Sequence, residues 1–185
     1  MKATGIVRRI DDLGRVVIPK EIRRTMRIRE GDPLEIYTDR EGEVIFKKYS
    51  PMGELSSFAA QYAETLYKTC NLSVLICDRD AVIAAAGVSK KEYQEKTLSS
   101  ELERVMEGRG MYAWREGNEQ FSPTADKTAH YVSCAMPIVS EGDVVGCVAS
   151  IAEVGSERTR ETNTAEMESK LILTAAGFLG KQMES

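Results

Sequence analysis

The chain has 185 residues, 42% of them hydrophobic, a composition compatible with one ordinary globular domain or two small ones. No run approaches the ~18 apolar residues of a membrane span, and the opening MKATGIVRR lacks the apolar core of a signal peptide, so a soluble, cytoplasmic protein is expected. The formal net charge of -4 gives no general reason to attract nucleic acid.

That total hides a division. Residues 1–29 hold nine Lys or Arg against three Asp or Glu, a net +6; residues 30–48 carry -3, and residues 49–185 carry -7. Fields act within a Debye length of roughly 8 Å at physiological salt, so a basic head can attract an anion while an acidic body repels it.

In chain order, TGIVRRI reads as a strand, DDLG as a turn with Gly14 free to take positive φ, and RVVIP as the returning strand. The unbroken apolar run Val16, Val17, Ile18 argues for burial on both faces. Pro19 suits the first position of a short helix that places Ile22 and Met26 on one side and arginines on the other. REGDP stops this helix, and LEIYTDREGEVIFKKY reads as a hairpin with Leu34, Ile36, Val44 and Phe46 inward. So short a segment is marginal alone, and a dimer is expected to cover its apolar surface.

Pro51 and Gly53 mark a boundary. The division expected is 1–50 for the first domain, 51–55 for a linker and 56–185 for the second domain. There, Leu55 to Cys70 reads as a helix, SVLICD and AVIAAAG as two strands around a turn, KEYQEKTLSSELERVMEG as a helix and MYAW as a short strand. Residues 115–128 form a long polar loop, a length that is usually functional or mobile. AHYVSCAMPIV and VVGCVASIAE make a hairpin, and VGSERTRETNT leads into a last helix from about Thr164 to Met183. The first and last of these helices are apolar over half their circumference, wider than the ~100° stripe of a surface helix. Each therefore has one face for its own sheet and one for a partner.

The run from Thr4 to Tyr49, built around LGRVVIPKEIRRT, closely resembles the swapped-hairpin DNA-binding domain of the AbrB family of bacterial transition-state regulators. The layout of the whole chain resembles a sporulation-type regulator of that family, and the order of elements after residue 55 is similar to a GAF domain. The fold class implied is α+β in two domains: a domain-swapped dimeric β-hairpin or barrel, then a GAF-like antiparallel sheet flanked by helices. The resemblance implies DNA-contacting arginines at Arg8, Arg15, Arg23 and Arg24, with Arg9 where a lysine is common. It also implies recognition of DNA shape, often in A/T-rich duplexes, more than a base code. The chemistry agrees, since guanidinium groups bind phosphate bidentately and grip guanine edges, and a two-fold dimer turns four positions into eight cations.

Other candidates have plainer readings. The lone His130 has no nucleophile motif beside it and suits a strand edge; Asp78 and Asp80 in DRD suit a turn, and Trp114 with Tyr112 an anchor. Cys70, Cys77, Cys134 and Cys147 show no metal-ligand spacing and read as buried free thiols. No cofactor, metal or enzymatic activity is expected, and no motif identifies a ligand for the GAF-like domain. The expected function is a DNA-binding transcriptional regulator, activator or repressor, acting as a homotetramer at the nucleoid. The alternative is an antitoxin-like protein-binding module.

Overall fold

The computed structural model describes residues 4–155 and 164–184. It divides into two compact units, Met1–Tyr49 and Ser50–Ser185.

Unit 1 holds helix α1 (Lys20–Thr25) and an antiparallel hairpin of β1 (Leu34–Thr38) and β2 (Val44–Lys48). Ile36 faces Phe46, and Thr38 faces Val44, across the ladder. Cross-strand partners share a face, so Leu34, Ile36, Val44 and Phe46 line one side while Glu35, Tyr37, Ile45 and Lys47 line the other. On that second side Lys47 Nζ lies 4.5 Å above the Tyr37 ring. The apolar side is the one expected to point inward, yet Ile36 is 61% exposed and Val44 and Phe46 are exposed too.

The strands expected at 4–10 and 15–19 are not formed among the described residues of unit 1. The turn between them is present, but a strand needs a neighbouring ladder, and among the described residues these segments have none. Val7 is 85% exposed and Val17 72%, with Ile10, Leu13 and Val16 exposed beside them. The two-sided burial read into Val16–Ile18 is thus absent within one chain. Pro19 caps α1 from outside instead of occupying its first turn.

In unit 2, α2 (Pro51–Glu54) and α3 (Ser56–Cys70) precede β3 (Val74–Cys77) and β4 (Val82–Ala86). Then come α4 (Lys90–Tyr93), α5 (Ser100–Glu107), β5 (Tyr112–Ala113), β6 (His130–Ser140), β7 (Asp143–Glu153) and α6 (Ala165–Gln182). The antiparallel sheet runs β4-β3-β7-β6-β5. Alternation along β3 sends Val74 and Ile76 to one layer, with Ala59, Ala63 and Leu66 of α3 and Ile172, Ala176 and Leu179 of α6. It sends Leu75 and Cys77 to the other, with Tyr93, Leu98, Leu102 and Met106. The result is an antiparallel sheet between two helical layers.

Residues 51–55, expected as a linker, belong to this unit: Pro51 opens α2, and Met52 is fully buried in the core. The single helix expected over 91–108 is two. Glu95 takes a left-handed φ of 63°, and the following residues bridge to neighbouring segments, Thr97 to Ala81 and Leu98 to Thr124. Ser99 restarts the chain as α5, its side chain accepting the Leu102 N–H at 3.2 Å. These bridges also pin part of the long polar loop, where Pro123 and Thr124 are buried. Close backbone approach explains one glycine: a Cβ on Gly146 would stand 2.2 Å from the Cys77 carbonyl oxygen. The lead-in to α6 over 156–163 lies outside the described residues. No helix among the described residues is long and apolar enough to cross a membrane.

Candidate nucleic-acid interface

The five candidate arginines, Arg8, Arg9, Arg15, Arg23 and Arg24, are all exposed and all lie in unit 1. Arg8 and Arg9 precede a chain reversal and Arg15 follows it. Asp11 builds that reversal: its Oδ1 accepts the N–H groups of Leu13 at 3.0 Å and Arg15 at 2.8 Å, and its carbonyl accepts the N–H of Gly14. Gly14 sits at φ 75°, where a side chain would be strained. Asp11 Oδ2 also takes a 2.8 Å bond from Arg15 Nε, which orients that guanidinium while leaving it 71% exposed. The Arg15 N–H, and then its guanidinium, hold the Asp11 carboxyl below its ordinary value. The turn is therefore intact above the usual carboxylate range and loosens only as pH falls through that lowered value.

Arg23 and Arg24 occupy the last turn of α1, where positive charge offsets the carbonyl end of the helix. The helix closes with a Schellman motif: Ile28 N–H bonds the Arg23 carbonyl at 2.8 Å, and Arg27 N–H bonds the Arg24 carbonyl at 3.2 Å. Arg27 takes the left-handed position of this motif, φ 53°, a slot usually held by glycine. A side chain there is strained by on the order of 1 kcal/mol. Lys48 fixes the bend, its Nζ donating to the Arg27 carbonyl at 2.9 Å and pairing with the nearly buried Asp32 carboxylate at 3.4 Å. Asp32 in turn accepts the Arg29 N–H at 2.8 Å. Sequence reasoning missed this Asp32–Lys48 clamp, because no local pattern ties position 32 to position 48. It missed the Arg27 bend because TMRIRE contains no glycine to signal it.

The candidates in unit 2 resolve as structural groups. His130 opens β6 and its Nδ1 lies 2.7 Å from the hydroxyl of buried Tyr93. Asp78 Oδ1 accepts the N–H groups of Asp80 and Ala81, both at 2.8 Å, which makes DRD an Asx turn. Trp114 donates its Nε1–H to the Asn118 carbonyl and meets Tyr131 edge-on, while Tyr112 packs on Phe121. The four cysteines are free thiols, three of them buried. Burial pushes Cys147 up to about 12 and Cys77 well above its ordinary value, so both remain protonated and poor nucleophiles. Glu168 is buried on α6, its Oε1 accepting hydroxyl bonds from Ser133 at 2.7 Å and Ser150 at 2.6 Å, which ties α6 to β6 and β7. It escaped the sequence reading, since a lone glutamate in a helix usually faces solvent.

Comparison with known proteins places both units. Residues 54–184 match the family model described as stage V sporulation protein T C-terminal, transcription factor, and residues 7–53 match the MazE antidote-toxin recognition model. The chain is 52% identical to stage V sporulation protein T of Bacillus subtilis (strain 168) over 185 residues, covering 100% of this chain and 99% of the relative. It is 65% identical over 51 residues to the transition state regulatory protein AbrB of the same organism, which covers 28% of this chain and 52% of AbrB. A GAF domain from A. aeolicus, solved in an inactive state, aligns over 73% of this chain and 85% of its own with 16% identity and a TM-score of 0.50, a likeness of fold alone. The α+β class with an AbrB-like head and a body of GAF-like fold is thereby established, and the family model that spans the body is described as a transcription factor, a non-enzymatic class. The chain belongs to the stage V sporulation protein T family of DNA-binding transcription regulators.

Proposed function

We propose that two copies of unit 1 intertwine through the segments 4–10 and 15–19 and the apolar side of the β1–β2 hairpin, and that this dimer lays Arg8, Arg9, Arg15, Arg23 and Arg24 on duplex DNA. One observation carries the reading. The same 49 residues that hold the exposed arginines also leave Val7, Ile10, Leu13, Val17, Ile36 and Val44 exposed in a single chain. Apolar surface on this scale calls for a partner, and self-pairing of the two expected strands supplies the missing ladder. A two-fold axis then doubles the cations on one surface.

Unit 2 joins such dimers into a tetramer. The support is an aromatic cluster of Phe58, Tyr62 and Phe178 shared by α3 and α6, with centroids 5.5 to 6.3 Å apart, and the exposed Leu173 and Phe178 on α6. Two heads on one DNA raise avidity through effective concentration. Small-molecule sensing by the GAF-like body, a preference for A/T-rich duplexes, and a cytoplasmic, nucleoid-associated location complete the proposal.

Fluorescence anisotropy on duplex DNA at several salt concentrations tests it. With about six to eight phosphates neutralised, the logarithm of affinity falls against that of salt with a slope of roughly -5 to -7. A flat response contradicts the mechanism and favours the second reading, an antitoxin-like protein-binding module, for which the MazE match of residues 7–53 is the support.

A further inference from the structure

We infer that Arg27 is a sixth DNA-contacting arginine of the head, kept in a strained backbone slot for the sake of its guanidinium. The inference rests on the DNA-binding reading of unit 1 given above. Its starting point is the Schellman motif that ends α1. Both of its hydrogen bonds are present, and they force residue 27 into the left-handed region whatever its side chain. Glycine fits this slot without strain, yet the chain places there the residue type with the largest charged side chain, and it is exposed.

Strain of this kind persists where surrounding structure over-determines it, and here it does. Lys48 Nζ grips the Arg27 carbonyl, and Lys48 is itself anchored on Asp32. The bend therefore repeats identically in every copy, and Arg27 leaves the chain at a fixed direction beside the turn that bears Arg23 and Arg24. Those two residues also supply the carbonyls that accept the closing bonds, so three guanidiniums originate from one helical terminus. A planar, permanently charged fork on a preset backbone loses less freedom on meeting a phosphate than one on a mobile loop.

A second strained arginine shows the competing explanation. Arg109 follows α5 at φ 54°, and its Nη1 donates to the Gly142 carbonyl at 2.7 Å, a contact inside the fold. If Arg27 served only such an internal purpose, replacing it would weaken the head and leave the salt dependence of DNA binding alone.

The test compares Arg27→Gly and Arg27→Lys in the full-length protein on duplex DNA, with the Arg23→Ala/Arg24→Ala variant in the same assay. Arg27→Gly is expected to slow hydrogen exchange of the amides from Met26 to Ile28, because the strain is gone. The same variant is expected to bind duplex about thirtyfold more weakly, with a salt slope shallower by about 2, one contact from each copy in the dimer. Arg27→Lys is expected to hold the wild-type slope. Wild-type affinity and slope in Arg27→Gly overturn the inference; so does faster exchange with an unchanged slope, which makes Arg27 a structural residue. If Arg27→Gly binds as wild type while the double variant loses binding, only the Arg27 assignment fails. If both bind as wild type, the arginine-based reading of the head fails with it.

Discussion

Replacing Arg23 and Arg24 together by alanine is expected to weaken duplex DNA binding about a thousandfold near physiological salt, with the mass of the assembly unchanged. The two residues sit in the last turn of α1, and both are exposed. Their loss therefore removes charge without opening the fold. In a two-fold head the double substitution deletes four cations, each worth on the order of 1 kcal/mol when it contacts DNA, for a total of roughly 4 kcal/mol. The salt slope should become shallower by about the same count, close to 4. Anisotropy titrations over a range of salt, paired with light scattering, read both quantities. A drop in mass instead would make these arginines part of the dimer contact.

Val17→Asp is the second large effect. Val17 is 72% exposed in the single chain, and a polar replacement at such a site ordinarily shifts stability by no more than ~0.5 kcal/mol. In the proposed intertwined head the same position becomes interior, and a two-fold axis would bury the new carboxylate twice. An uncompensated buried charge costs several kcal/mol, roughly 3 to 5 for each copy, which exceeds what so small a core can supply. The expected result is loss of DNA binding together with a halving of the assembly mass, from tetramer to a dimer held by unit 2. Light scattering and anisotropy check it, and a Val17→Asp protein of wild-type mass and affinity would return that residue to the solvent-exposed surface.

How much of this was legible in the sequence depends on how local each signal is. The body was read well where apolar periodicity is complete within one segment: α3, β3, β4, the β6–β7 hairpin and α6 stand within a few residues of their expected positions. The helix expected over 91–108 failed for a non-local reason, because Thr97 and Leu98 are claimed by Ala81 and Thr124, partners far away in sequence. The boundary marked near Pro51 and Gly53 does fall there, between Tyr49 and Ser50, but the linker expected over 51–55 is core at Met52, whose burial depends on a sheet formed later in the chain. The apolar side of the β1–β2 hairpin was read correctly as a face, but not as an inward one, since Ile36 and Val44 on it are mostly exposed.

In the head, the Asp11–Gly14 turn was legible because its residue types are those a turn demands. The flanking strands were read from an apolar pattern, but among the described residues they do not form, and Val7 and Val17 stay exposed; in the proposed dimer a second copy supplies the ladder that they lack. The arginine set was marked by charge asymmetry, but composition alone could not separate DNA contact from a solvated face, and the family resemblance carried that step. Arg27 was invisible because its role is set by backbone angle and by the Lys48 clamp, neither of which a residue pattern encodes.

Native mass spectrometry of the full-length protein, alone and with a short duplex, tests the central claim most directly. If two heads must intertwine before the arginines form an array, only even-numbered assemblies appear, and every duplex is carried by at least two chains. A single chain holding a duplex would contradict the account.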